Sequence, residues 1–451
     1  MANVIKIRKG LDIKLKGKAV ETLSSASCTA QCAIVPDDFH GVKPKVVVRP
    51  GDVVKAGTVL FYDKNNPEVK FVSPVSGEVV AVNRGEKRKV LNIMINVGNG
   101  KEIEYETFKS CDPLKTAKED LKQEMLDAGV WGFIKQRPYD VIANPADTPK
   151  AVFVSAFDSA PLAPDFDFVL NGQEKDFQTG LNVLSQFAPV YLGISGNTKS
   201  AALKNASNVT INQFDGPHPA GNVGIQINHV SPINKGEIVW TVNAQDVIVI
   251  GRLFNRGICD FKRIVALTGS EVVKTGYYNV MPGCNLAPLF EGNVAKGKHL
   301  RYIDGNVLTG KQTTPDAFLS FYSNQLTVIP EGDETHEAFG WIMPRFNQFS
   351  MNRSYFSWLF PKKEYTLDAR IKGGERAIIM SNEYDRVFPM DIYPEYLLKA
   401  IIAKDIDQME ALGIYEVAPE DFALCEFVDT SKLEIQKIVR EGLDYLKKEM
   451  N

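Results

Sequence analysis

Five histidines and six cysteines bound the acid–base, metal and thiol chemistry open to this 451-residue chain. His218 has the most unusual setting, in Phe214-Asp215-Gly216-Pro217-His218-Pro219-Ala220-Gly221-Asn222-Val223-Gly224. Prolines on both sides of the ring fix the neighbouring backbone. The flanking glycines permit close approach or positive φ. Such a loop predicts rigid display of one titratable imidazole, as a proton donor or a docking contact. The competing reading is a structural turn with an incidental ring. No second histidine or carboxylate stands beside it at metal-ligand spacing.

The thiols point to no cluster. Cys28 and Cys32 lie close together with His40 nearby, which falls short of the full tetrahedral set of a structural zinc site. Cys111, Cys259 and Cys284 are isolated. Cys425 stands in Ala423-Leu424-Cys425-Glu426-Phe427-Val428-Asp429. An iron–sulfur cluster needs several closely spaced thiolates, and Asp429 is a poor substitute. All these cysteines read as ordinary thiols. No Ser-His-Asp arrangement with supporting context and no His-x-x-x-His is present.

A phosphate-binding loop must be glycine-rich, so that backbone N–H groups close around an anion at a helix N-terminus. The candidate is Ala128-Gly129-Val130-Trp131-Gly132-Phe133-Ile134-Lys135-Gln136-Arg137-Pro138. It has no Gly-Gly pair and no G-x-G-x-x-G, and Trp131 and Phe133 fill the space a phosphate needs. It reads as a core-packed connection, with a degenerate phosphate loop as the alternative. Gly196 is a lone glycine in a turn. Two aromatic clusters, Phe339-Gly340-Trp341-Ile342-Met343-Pro344 and Phe356-Ser357-Trp358-Leu359-Phe360-Pro361, follow no regular period. Arg345, Asn347, Asn352 and Arg353 lie between them. Trp341 and Trp358 thus mark a partner-binding patch, a groove for an apolar head group, or a packed domain junction.

At roughly 100–200 residues per domain, the length predicts about three or four domains to position these groups. The net charge of -3, with no basic stripe, argues against nucleic acid as a partner. No apolar run approaches the ~18–20 residues that span a bilayer, and no signal-peptide core follows Met1. A cytoplasmic chain, reaching a membrane only through partners, is expected.

Residues 1–37 read as short β pieces feeding into a β unit within 1–100. In that unit Val46–Leu60 and Lys70–Val82 are two similar halves, broken at Gly51-Asp52, Ala56-Gly57, Ser73-Pro74 and Ser76-Gly77. This resembles the lipoyl/biotinyl hammerhead. Carriers of that type hold a modifiable lysine at the central hairpin, but here the tip is Asp63-Lys64-Asn65-Asn66-Pro67. A scaffold carrying nothing is expected, with a modified Lys64 as the alternative. Asp112-Pro113 opens a helix ending at Gly129. Strands near 151–155, 190–194, 209–211 and 238–242 alternate with helices near Phe177–Leu184 and Asp246–Phe254. That pattern predicts a Rossmann-like parallel α/β domain over 101–256. Residues 257–330 read as a β-grasp (SLBB-like) domain. Residues 331–451 are mainly helical, with helices over Pro394–Lys404 and from a Ser431…Glu434 capping box to Glu449. The fold class is multi-domain α/β.

Over essentially its whole length the chain resembles the family formed by the A subunits of the Na(+)-translocating NADH:quinone reductases. The matching stretches are Lys9–Asp12, Phe71–Gly77, Asn83–Gly85, Phe214–Gly221, Gln245–Ile248, Phe339–Trp341 with Met343-Pro344, and Ala423–Cys425. More distantly, the domain order resembles the C subunit of the Rnf complex and the NADH- and FMN-binding subunit of complex I. Those relatives hold FMN on a glycine-rich loop and an iron–sulfur cluster on a cysteine run. The chain departs from them at Gly129–Pro138 and at Cys425–Asp429.

The resemblance implies a peripheral, scaffolding subunit on the cytoplasmic side of the bacterial inner membrane, held by other membrane-embedded subunits. It implies no tightly bound cofactor here and no catalysis by the isolated chain. NADH, FAD, FMN, riboflavin, iron–sulfur and ubiquinone would belong to other subunits. Two alternatives are a flavin- or NADH-binding oxidoreductase subunit of the Rnf or complex I type, and a quinone-binding subunit with His218, Trp341 and Trp358 as contacts.

Overall fold

The computed structural model describes residues 3–25, 30–98, 102–333, 339 and 342–450. Residues 31–96 build two small sheets. Gln31–Ile34, Val90–Asn96, Gly77–Arg84 and Val53–Val54 form one, and Pro44–Val46, Val59–Asp63 and Lys70–Val72 the other. Every pairing in them is antiparallel. Side chains alternate across each strand, so Ile93 and Ile95 turn into a core with Leu60, Phe61 and Val79. The Phe61 and Phe71 rings stack at 4.7 Å. Lys64 is exposed beyond the strand end, where the Asp63 carboxylate accepts from the Lys43 and Asn65 amides.

Of the stretch 1–37 expected to feed this unit, Gln31–Ile34 does join it, but the first strands do not. Asn3–Lys6 pairs in parallel with Thr210–Asp215, and Leu23–Ser25 with Gly276–Val280. Their side chains are largely exposed. Backbone hydrogen bonds to two open sheet edges hold them, rather than an apolar face.

The central sheet has the order Asn3–Lys6, Thr210–Asp215, Val190–Ser195, Ala151–Ser155, Val239–Asn243, Lys135–Arg137, Val141–Ile142. The strands at 151, 190 and 210 step outward on one side, and Val239–Asn243 then joins the other side of Ala151–Ser155 in parallel. The chain therefore reverses direction across the sheet at the ends of Ala151–Ser155 and Val239–Asn243. Lys135–Arg137 runs antiparallel beside them.

The helices Glu174–Leu184 and Ala244–Arg256 pack almost backbone to backbone. A Cβ on Gly251 would stand 1.7 Å from the Asp176 carbonyl oxygen. The Asn243 side chain caps the second helix at the Gln245 amide, and Gly257 ends it at φ 65°. The helix expected from Asp112 is split: Asp112 caps a short 3-10 turn over Pro113–Lys115, Thr116 is extended, and the helix proper is Lys118–Asp127.

A third, mixed sheet has the order Lys311–Thr313, Leu300–Asp304, Gln325–Pro330, Arg263–Thr268, Gly276–Val280, Leu23–Ser25. The last region is helical, with Pro394–Ala403, Ala423–Val428 and Ile435–Met450 the main pieces. The Ser431 capping box does not form. The Ser431 hydroxyl donates to the Ala377 carbonyl, and the Glu426 carboxylate takes the Gln436 amide instead. Apolar clusters bind the regions together: Phe71, Trp131, Trp240 and Phe321 share one, and Ile7, Phe214, Leu397 and Leu443 another.

Candidate functional site

In open α/β sheets, ligands bind beyond the carboxyl ends of the strands where the order reverses. Here that point opens into a cavity of about 590 Å³, bordered by Ser155 and Asn243. All four regions contribute: Asp38 and His40, then Phe133, Asp158 and Asn222, then Asp304 and Tyr322, then Glu420 and Arg440.

Its charge is unusual. Asp37, Asp38, Asp140, Asp158, Asp246, Asp304 and Glu420 line it, against the cations Lys135, Arg137, Lys311 and Arg440. Two of these charges are already neutralised in buried pairs. Arg137 donates to Asp421 at 2.7 Å and to the Glu416 carbonyl, and Asp246 accepts from Arg263 at 2.5 Å. Lys135 lies over the Tyr322 ring at 4.9 Å, and the Tyr322 hydroxyl donates to the Gly132 carbonyl.

Three of the carboxyls left over, Asp38, Glu420 and Asp158, are held toward their neutral forms, whereas at Asp140 burial is outweighed by Lys135, Arg137 and Arg440, which hold it below its ordinary value. Burial pushes Asp38 up to about 6, although the Phe321 amide donates to it. Glu420 opens onto the cavity yet is ringed by protein, and burial with Asp421 and Asp158 close by pushes it up to about 7. Burial raises Asp158 too, against the Ala160 amide that donates to it. Asp304 takes the Ser320 amide on one oxygen, while its other oxygen has no partner among the described residues.

The Gly129–Pro138 connection is packed solid. Trp131 is fully buried, meets Trp240 edge-on at 5.3 Å and donates its indole N–H to the Ala143 carbonyl at 2.8 Å. Phe133 stacks on Phe321 at 5.1 Å. Gly129, at φ 69°, lies against Val72, whose side chain a Cβ there would strike at 2.6 Å.

His218 is not on display: it is 3% exposed. Its Nδ1 meets the Ser159 hydroxyl at 3.0 Å, and burial lowers the ring to about 4, so it is neutral. Its backbone takes the Leu11 amide and donates to Asp12, while a Cβ on Gly10 would stand 2.2 Å from the His218 carbonyl oxygen. Lys9–Asp12 and Phe214–Gly221 are thus two halves of one clasp. The prolines shape a packed joint instead of an exposed perch. Ser159 also takes the Gly221 amide, and neither it nor His218 lines the cavity.

Trp341 and Cys28 lie outside the described residues. Trp358 is half exposed, with the Arg353 guanidinium 5.3 Å from its ring centre. Cys32 is buried and directed at the Pro282 carbonyl, whereas His40 faces Asp444 at 2.9 Å. Burial raises the Cys32 and Cys425 thiols. Asp429 serves structure: it accepts from the Tyr384 hydroxyl and from the Ser431 and Leu433 amides. Among the described residues no three His, Cys, Asp or Glu side chains come together to hold a metal. The acids around the cavity escaped sequence reasoning. Their only local signals are the pairs Asp37-Asp38 and Glu420-Asp421, each beside a proline.

Three family models match in chain order. They are the NqrA N-terminal barrel-sandwich hybrid domain over 5–98, the NqrA second alpha/beta domain over 116–259, and the NQRA C-terminal domain over 264–314. A fourth, the opioid growth factor receptor conserved region, matches 311–382 and cuts through the third sheet. Curated relatives align from end to end. The A subunit of the Na(+)-translocating NADH-quinone reductase of Haemophilus influenzae (strain PittGG) is 38% identical, covering 99% of this chain and 100% of the relative. The equally named proteins from Yersinia pestis bv. Antiqua (strain Angola) and Vibrio atlanticus (strain LGP32) are each 35% identical over the same shares. Among solved structures, an NAD+-reducing [NiFe]-hydrogenase in the air-oxidized state overlaps 77% of this chain and 67% of its own, at 13% identity and a TM-score of 0.36. That overlap is too low to carry over a fold or a cofactor.

Proposed function

The chain belongs to the NqrA family, the A subunits of the Na(+)-translocating NADH-quinone reductases, and on that premise we propose how its architecture serves the complex. It is one component of a translocase that couples NADH oxidation and quinone reduction to sodium transport. Among the described residues no helix is long and apolar enough to cross a membrane, which fits a peripheral place. In our reading it sits on the cytoplasmic side, scaffolds the membrane-embedded subunits and holds no redox centre of its own. NADH, the flavins, the iron–sulfur cluster and ubiquinone then belong to its partners. We read its three β-containing units as a lipoyl-type hammerhead, a Rossmann-like domain and a β-grasp domain, ahead of the helical region.

The observation that carries the scaffold reading is the state of the strand-end cavity. A nucleotide or flavin phosphate needs a nest of N–H groups and net positive charge. Trp131 and Phe133 occupy the space of the nest, and Asp38, Asp158, Asp304 and Glu420, none in a salt bridge among the described residues, line the opening. Arg137, the most buried cation there, is committed to Asp421. Titration of the isolated chain with FMN and with NADH tests the point. Binding no tighter than about 1 mM is expected, whereas tight stoichiometric uptake of either overturns the reading. In the complex, loss of this chain should disrupt quinone reduction and leave NADH oxidation by an artificial acceptor intact.

One observation favours a second reading, direct quinone contact. The cavity falls within the ~300–1,000 Å³ range of ligand pockets, and Phe133, Phe157 and Tyr322 give it an aromatic side. Photo-labelling by a quinone analogue in the assembled complex checks it. Label on those residues supports contact, and label confined to the membrane partners rejects it.

A further inference from the structure

We propose that residues 342–363 form a lipid-contact face, which seats this chain against the headgroup zone of an anionic bilayer. The inference rests on the peripheral placement proposed above and adds a direct protein–lipid contact to it.

Large apolar groups crowd this surface. Ile342 is 66% exposed, Trp358 50% and Phe346 49%, with Met343, Phe356, Leu359 and Phe360 also exposed. Three of them form a connected cluster: Phe346 stacks on Phe356 at 5.4 Å and meets Phe360 edge-on at 6.3 Å. A buried frame holds them outward. Ser357 and Gln348 are buried, the Ser357 hydroxyl donates to the Ser350 carbonyl and accepts its amide, and Lys363 donates to the Phe346 carbonyl.

Cations are interleaved with the rings. Arg345, Arg353, Lys362 and Lys363 fall within 342–363, and no carboxylate does; the flanking acids are Glu337 and Glu364. Arg353 lies over Trp358, and Lys363 over Phe360 at 5.9 Å. The exposed Lys14 donates to the Pro361 carbonyl at 2.5 Å, and the Lys16 amide bonds the Tyr365 carbonyl, so two more lysines flank the face. The chain as a whole is net negative, so the positive charge here is a local arrangement.

Charge decides the occupant. Cytoplasmic loops of membrane proteins are enriched in Lys and Arg and would repel this face. Anionic headgroups attract it, and that attraction falls off within a Debye length. Trp and Phe rings settle at the headgroup level, while Arg and Lys extend past them to the phosphates.

Flotation of the full chain with vesicles tests the proposal. Binding to phosphatidylcholine vesicles containing phosphatidylglycerol is expected, weakening when salt is raised and at least tenfold weaker on phosphatidylcholine alone. Two double variants, Phe346→Asp with Phe360→Asp and Arg353→Glu with Lys363→Glu, should each lose at least tenfold while melting at the wild-type temperature. Absence of wild-type binding to the anionic vesicles overturns the proposal, as does binding that both variants retain. If wild type does not float, yet the variants fail to co-purify with membrane subunits in detergent, the face belongs to a protein partner and the proposal is again overturned. Co-purification of the wild type checks the peripheral-subunit reading separately, whatever the vesicles show.

Discussion

The strand-end cavity and the face at 342–363 handle charge and apolar surface in opposite ways. At the cavity, carboxylates outnumber cations, and Trp131, the largest ring of the connection, is drawn into the core behind it. On the outer face, the stretch 342–363 carries four cations and no carboxylate in its sequence, and the rings are exposed. Burying an apolar ring is favourable by about 1.5–3 kcal/mol, so rings left outside mark contact with something else. Under the scaffold reading proposed above, rings packed inside at the strand ends close that position to a ligand. The same residue type, tryptophan, serves both ends: Trp131 is core and Trp358 is surface.

The sharpest way to break this contrast is to truncate both. Trp131→Ala should destabilise the chain by about 3–5 kcal/mol, through lost burial, the cavity left behind and an unpaired Ala143 carbonyl. Trp358→Ala should change stability by less than about 0.5 kcal/mol. Denaturant unfolding, read as midpoint shifts of the transition that includes the α/β sheet, compares the two. Equal effects would mean that the surface ring is part of a core.

His218 gives the next largest effect, and it depends on pH. Its folded value of about 4 lies below the ordinary 6.5, so between these values the unfolded chain binds the extra proton. Its contribution is present above about pH 6.5 and is lost as pH falls toward 4. The whole loss is up to roughly 3 kcal/mol. Subtracting the stability curve of His218→Gln from that of wild type isolates this slope from the other groups. A flat difference would mean that the imidazole is solvated, and would restore it as a displayed ring.

Much of this was legible in the sequence because it is local. Trp131 and Phe133 announced a filled connection, since no phosphate loop tolerates two large rings among its N–H groups. The apolar run over Asp246–Phe254 announced a helix, and the structure buries it all round. What could not be read was assembled from afar. Asn3–Lys6 has no pattern of its own that names Thr210–Asp215 as its neighbour. His218 looked exposed because Gly-Pro-His-Pro reads as a surface turn; its lid, Gly10–Asp12, lies at the other end of the domain order. The Ser431 box failed because Asp429, two residues earlier, had already taken the Ser431 and Leu433 amides that a cap would claim. The cavity acids are invisible for the same reason, since Asp38 and Glu420 meet only once four regions close.

Gly10→Ala probes that clasp. At φ 146° an alanine is strained, and its Cβ would press on backbone, which cannot swing aside. A loss of about 1–3 kcal/mol is expected, with amide exchange quickening at Leu11 and His218 first. Unchanged exchange there would show that the clasp is loose.

The smallest effect tests the cavity's charge most directly. Asp38 and Glu420 have folded values of about 6 and about 7, above their ordinary 3.8 and 4.5. In the window between, the folded chain holds more protons than the unfolded one, so stability falls as pH rises through it. Asp38→Asn with Glu420→Gln removes both titrations while keeping an oxygen for the Phe321 amide. Asp38 and Glu420 both border the open cavity and neither is fully buried, so solvent screening cuts the combined gain to about 0.5 kcal/mol. The variant should therefore match wild type near pH 4 and melt slightly higher at pH 8. The same change raises the cavity's net charge by two at pH 8, and it gives the binding test a second arm. If carboxylates are what repel a phosphate, weak FMN binding should appear in the variant. If the filled connection at Trp131 is what excludes it, FMN should stay unbound, and the exclusion then rests on packing alone.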